Sequence, residues 1–224
     1  VTRPGQVKIA DLDGNGFIDP GNFAVDDHGD LRIIGNQSPR YRYGVNLSAR
    51  WNGIGLSVFL QGVGARDWYP GSDAGMFWGK YGRPFFGLIP SIHNYTDDMY
   101  SAERNNWDTA YWPRMTTYQS NGTKNWTRLL EIPNTRYIQS AAYLRVKNIQ
   151  LDYSFPKHIC SAIRLQGLKI YVNAENLFTF TPLHKYAPNF DPEGLSYDSD
   201  FASAADGYTY PILKSVTVGV NITF

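Results

Sequence analysis

Lys214-Ser215-Val216-Thr217-Val218-Gly219-Val220-Asn221-Ile222-Thr223-Phe224, the last stretch of the chain, decides its fold class. Val216, Val218, Val220, Ile222 and Phe224 fall on one face of a strand, and Ser215, Thr217, Gly219, Asn221 and Thr223 on the other. Strict alternation marks a strand, because successive side chains point to opposite faces. A run of about ten residues with an apolar outer face is what a tilted transmembrane β-strand requires. Phe224 fits the assembly signal, an aromatic last residue with which outer-membrane barrels commonly finish. The competing reading of this segment is a half-buried strand of a soluble sandwich.

A hairpin upstream repeats the pattern. Residues 41 to 51 put Tyr41, Tyr43, Val45, Leu47, Ala49 and Trp51 on one face and Arg42, Gly44, Asn46, Ser48 and Arg50 on the other. Asn52-Gly53 follows, the strongest short hairpin signal, since a type I′ turn needs positive φ at both central residues. A two-residue turn pairs Trp51 with Ile54, Ala49 with Leu56, Leu47 with Val58 and Val45 with Leu60, so the two apolar sets coincide in register. Tyr41, Tyr43 and Trp51 sit at strand ends, where interfacial aromatic girdles lie.

The spacing predicts strands over about 41–51, 54–66, 137–155, 168–180 and 214–224, with long loops over about 1–40, 67–136 and 181–213. Short and long connections alternate, as short periplasmic turns and long external loops do in a bacterial outer-membrane barrel. Loops longer than about fifteen residues are otherwise uncommon. Within 137–155, Ala142, Leu144 and Val146 share one parity and Ile149, Leu151, Tyr153 and Phe155 the other. The switch at Lys147-Asn148 predicts a β-bulge or a strand buried on both sides. Arg145 and Lys147 are expected to face the lumen.

Composition fits a membrane barrel: 42% hydrophobic, 15% aromatic and 18% charged, with 16 Tyr and 6 Trp for interface belts or binding loops. A net charge of +1 without a basic run gives no footprint for nucleic acid. No apolar stretch is long enough for a helical span. The single cysteine, Cys160, cannot form an internal disulfide. About five long strands do not close a membrane barrel, whose smallest form has eight. The expectation is therefore an all-β fold, the carboxyl-terminal strands and long external loops of a larger antiparallel transmembrane barrel. A signal peptide is expected upstream of Val1.

At the level of motifs, the chain resembles the carboxyl-terminal part of the SusC/RagA family of TonB-dependent outer-membrane transporters. The resemblance is carried by Pro4-Gly5-Gln6-Val7-Lys8-Ile9-Ala10-Asp11 with Asp13-Gly14-Asn15-Gly16-Phe17-Ile18-Asp19, by Val58-Phe59-Leu60-Gln61-Gly62, and by Tyr143-Leu144-Arg145-Val146-Lys147-Asn148-Ile149. Phe155-Pro156-Lys157, Glu175-Asn176-Leu177-Phe178, Asp191-Pro192-Glu193, Tyr210-Pro211 and the terminal strand continue it in order. The resemblance implies a barrel of about twenty-two strands with a plug domain and a TonB-contacting segment upstream. It also implies a SusD-like surface lipoprotein that closes as a lid, and an oligosaccharide or peptide as cargo.

The sharpest site is Asp11-x-Asp13-Gly14-Asn15-Gly16-Phe17-Ile18-Asp19, which follows the first nine positions of an EF-hand-type loop. Asp11, Asp13, Asn15, Asp19 and the Phe17 carbonyl are the expected ligands of a structural Ca²⁺. Asn22 stands where the bidentate Glu belongs, and Asn22, Asp26, Asp27 or Asp30 are candidates for the remaining oxygens. The alternative is a hydrogen-bonded Asx-rich turn without a metal. Trp68, Trp78, Trp107, Trp112 and Trp126 are candidates for contact with cargo or lid. Scattered carboxylates and histidines form no acid–base, nucleophile or ligand set, so no enzyme activity is expected. The other functional class that these features fit is a secreted, calcium-dependent β-sandwich that binds polysaccharide.

Overall fold

The computed structural model describes residues 4–5, 7–70, 100–112, 133–188, 190–195 and 212–224. They belong to two compact units. One, comprising 38–66, 140–182 and 210–224, is built on a five-stranded antiparallel sheet. Its strands are β1 (Arg40–Trp51), β2 (Ile54–Ala65), β5 (Tyr143–Ser154), β6 (Gly167–Phe180) and β7 (Ser215–Thr223), in spatial order β1-β2-β5-β6-β7. Two short strands, β3 (Asp67–Trp68) and β4 (Gln139–Ser140), make a separate ladder.

The register carries the apolar alternation across all five strands. Leu47, Val58, Ile149, Ala174 and Val216 form one cross-strand row, and Ala49, Leu56, Leu151, Val172 and Val218 the next. Trp51, Ile54, Tyr153, Ile170 and Val220 form a third, beside the turn. This face is not covered: Leu47 is 55% exposed and Val218 73%. Rows of the other face are polar, among them Ser48, Ser57, Gln150, Asn173 and Thr217.

The hairpin turn is the expected one. Asn52 has φ 46° and Gly53 φ 85°. A Cβ on Gly53 would lie 2.7 Å from the Ser154 carbonyl oxygen, so glycine is required there twice over. The bulge also forms. Val146 and Asn148 face Leu60 and Phe59 on β2, leaving Lys147 without an opposite residue. On β6 the same two residues face Phe178 and Glu175, and Asn176 adopts φ 51°. The extra residue switches parity, so Val146 and Ile149 both reach the apolar face.

One expectation is corrected, and one element was not foreseen. The segment 137–155 is not one strand: β4 ends at Ser140 and β5 begins at Tyr143, and the Ala141 amide between them donates to the Arg66 carbonyl at 2.8 Å. The connection between β5 and β6 holds a six-residue helix, α1 (Lys157–Ala162), with Pro156 at its N-cap position and Cys160 buried. Proline suits a helix start because the amide that it lacks has no helical partner there.

The other unit comprises 1–37, 67–139 and 183–209. Its core among the described residues is aromatic. Tyr111 stacks on Tyr186 with ring centroids 3.8 Å apart, and Trp112 lies edge-on to Tyr111 and stacks on Tyr137. Leu183 and Ala187 are fully buried in the same unit. Burial pushes the Tyr111 phenol up to about 12.

Candidate functional site

The acidic loop folds around its first carboxylate. Asp11 accepts the Gly14 amide at 2.6 Å and the Gly16 amide at 2.8 Å, one on each oxygen. The Gly16 amide is the main reason that the Asp11 carboxyl lies below the usual range, with smaller help from Gly14 and Asp13 against some desolvation. Asp13 accepts the Asn15 amide at 3.0 Å, and Asn15 Oδ1 accepts the Phe17 amide at 2.7 Å. Each carboxylate oxygen has two lone pairs, so these bonds leave acceptor capacity for a cation.

Asp30 joins this group from outside the motif. Its oxygens accept the amides of Leu12 and Asp19, and its own amide donates to the Asp19 carbonyl at 2.9 Å. Ligand oxygens of Asp11, Asp13 and Asp30 lie within 4.8 Å of one another. Asp19 is held at the edge, with Asn15 Nδ2 3.4 Å from its Oδ2. Asn22 and Asp27 are engaged with each other instead, Asn22 Nδ2 donating to Asp27 Oδ2, and Asp26 brings no oxygen to the group. The oxygen expected near Asn22 is thus offered by Asp30, because Gly21 and Gly29 close the intervening loop. A Cβ on Gly29 would stand 2.4 Å from the Gly21 nitrogen.

The candidate tryptophans separate by burial. Trp68 is 2% exposed and packs on Phe190, and Trp112 is 1% exposed. Both hold loops together and present no ring face for stacking, which corrects the expectation for these two. Trp107 is 66% exposed. Trp78 and Trp126 lie outside the described residues.

Trp107 borders a cleft of about 830 Å³ that sequence spacing did not reveal. Its aliphatic lining includes Val7, Ile9, Leu12, Leu31 and Ile34, and its charged lining Lys8, Arg32, Arg136, Asp19 and Asp30. Arg136 is preorganised. Its Nε donates to the Tyr111 carbonyl at 3.3 Å, one Nη donates to the Ala110 carbonyl, and the guanidinium lies 5.9 Å from both the Tyr111 and Tyr137 rings.

On the polar face of the sheet, Asp152 is 6% exposed between Arg50 at 3.2 Å and Lys169 at 3.1 Å. Arg145 is also buried on this face, with Nε donating to Thr179 Oγ1 at 2.9 Å. The expected lumen placement of Arg145 thus corresponds to a buried, hydrogen-bonded cation on the polar side.

No protein-family model matches the chain. Curated relatives from Formosa agariphila do. TonB-dependent receptor P3 is 27% identical over 99% of this chain, P39 is 24% identical over all of it, and P26 is 22% identical over 98%. The chain spans about a fifth of the length of these relatives. Among solved structures, the RagAB peptide transporter matches 88% of this chain and 18% of its own, with TM-score 0.58 and 22% identity. The RagAB peptide importer in its open-open state matches 92% and 20%, with TM-score 0.52 and 20% identity. The motifs and these likenesses agree: over nearly its whole length the chain is similar to part of TonB-dependent receptors, and its fold is similar to part of the RagAB transporter.

Proposed function

We propose that the chain forms strands and external loops of a nutrient importer in the outer membrane of a Gram-negative bacterium. The observation that carries this reading is the apolar face that runs in register across five strands and stays exposed. A surface of that extent is unfavourable in water and suits lipid. The sandwich alternative needs that face covered, and the exposure of Leu47, Leu151 and Val218 speaks against it. The remaining strands, the plug and the TonB-contacting segment belong to this proposal as upstream parts of the same protein. So does a SusD-like lipoprotein lid over the external loops.

Cargo in this reading is an oligosaccharide or a peptide, moved without covalent chemistry. The acidic loop is proposed to hold a structural Ca²⁺ through Asp11, Asp13 and Asp30, with Asn15, Asp19 and the Phe17 carbonyl in support. Hard oxygens in a Gly-shaped loop fit that ion, which takes six to eight at about 2.3–2.6 Å. Uptake of labelled peptides and oligosaccharides by cells carrying the protein is the test. Import that stops when the proton-motive force is collapsed supports the reading, and energy-independent or absent import of both cargo classes refutes it.

A further inference from the structure

We propose that the Trp107 cleft binds a short peptide, with its carboxylate on Arg136 and Arg32 and an apolar side chain against the aliphatic wall. This rests on the importer reading and names the cargo class for it. Three observations converge. The guanidinium of Arg136 is fixed on one edge by the carbonyls of Ala110 and Tyr111 and borders the cleft, leaving Nη1 with no hydrogen-bond partner among the described residues. A planar fork held in this way is suited to a carboxylate. Lys8 and Arg32 also line the cleft, and among the described residues neither has a hydrogen-bond or ion-pair partner. The carboxylates of Asp19 and Asp30 that line it are already acceptors of the Gly21, Leu12 and Asp19 amides. The cleft therefore offers cations without an ion-pair partner among the described residues, because its own carboxylates are committed to the acidic loop.

Those cations, beside aliphatic side chains, match a peptide, which brings a carboxylate and apolar side chains together. A neutral glycan brings hydroxyls that an aliphatic wall leaves unsatisfied. An acidic glycan supplies the anion but no apolar side chain for the aliphatic wall.

The test uses the protein that carries this chain, purified in detergent, and as the reporter the part of its tryptophan fluorescence that Trp107→Phe removes. Probes are a short leucine-rich peptide with a free carboxylate, its carboxyl-terminal amide, and a uronate-containing oligosaccharide. The free acid is expected to bind about tenfold more tightly than the amide, the range of a hydrogen bond to a charged group. Arg32→Gln is expected to reduce that preference, and Arg136→Gln to abolish it. Arg32 makes no hydrogen bond among the described residues, so its variant keeps the proposal open to refutation where Arg136→Gln loosens the Ala110 and Tyr111 carbonyls. Equal binding of acid and amide, an acid preference unchanged in both variants, absence of peptide binding, or preferential binding of the uronate would each overturn the inference. Energy-dependent uptake alongside any of those results leaves the importer standing and removes only the cleft.

Discussion

Asp11 shows how much one carboxylate organises when it accepts two backbone amides. Its spacing to Asp13, Asn15 and Asp19 was legible in the sequence, because a calcium-type loop fixes ligands at odd positions. Asp30 was legible only as one of several candidates. Its place depends on the close approach of Gly21 and Gly29, a contact that linear spacing does not encode. Arg32 and Arg136 carried no signal at all, since packing alone brings these distant residues to one cleft. Asp11→Asn is expected to speed hydrogen exchange at the Gly14 and Gly16 amides and to remove the slowing that the proposed Ca²⁺ is expected to produce in the parent. Exchange rates unchanged by the substitution would refute the capping role. The pH dependence has a fixed sign. The folded-state pKa of Asp11 is depressed below 3.8, so its contribution is fully present above that value. It is lost as pH falls through the lower folded value, and the protection of both amides relative to their intrinsic exchange rates should fall in that acid window.

Elements were read best where alternation is long. The Asn52-Gly53 hairpin and β7 follow the sequence pattern closely, because a one-residue slip would reverse every side chain. The six-residue α1 was missed for a physical reason: it is too short to display helical periodicity, and Pro156 marks a turn as readily as a helix start. The bulge was legible as a parity switch, but its counterpart on β6 was not. Asn176 relieves the mismatch by adopting φ 51°, and its Nδ2 donates to the Leu213 carbonyl at 3.2 Å. Asparagine tolerates this region better than residues with bulky or branched Cβ substituents. Asn176→Val is expected to destabilise the folded protein by about 1–2 kcal/mol, the cost of a left-handed conformation. Asn176→Gly should cost less, since it keeps the backbone geometry and loses only the Leu213 bond. Urea unfolding from lipid vesicles separates the two, and equal stability of the valine and glycine variants would show that the strain is absent.

At the scale of the whole molecule, the decisive property is that the sheet has two chemically different faces. Val218 sits in the row of Ala49, Leu56, Leu151 and Val172, while Asn221 lies opposite Lys169 on the polar side. Both belong to β7, so a substitution at either tests the same strand with the same backbone. A cation on the lipid side costs about 2–4 kcal/mol at the membrane midplane, whereas lumen positions bear charge because water reaches them. Val218→Arg is therefore expected to impair insertion, and Asn221→Arg to leave it near the parent level despite the nearby Lys169. If the sheet instead stood in water, Arg at the 73%-exposed Val218 would cost little and would raise solubility. Insertion into lipid vesicles, scored by protection from added protease, reads the difference directly. Equal insertion of both variants would remove the membrane assignment, because a lipid-facing Val218 must be the more sensitive of the two.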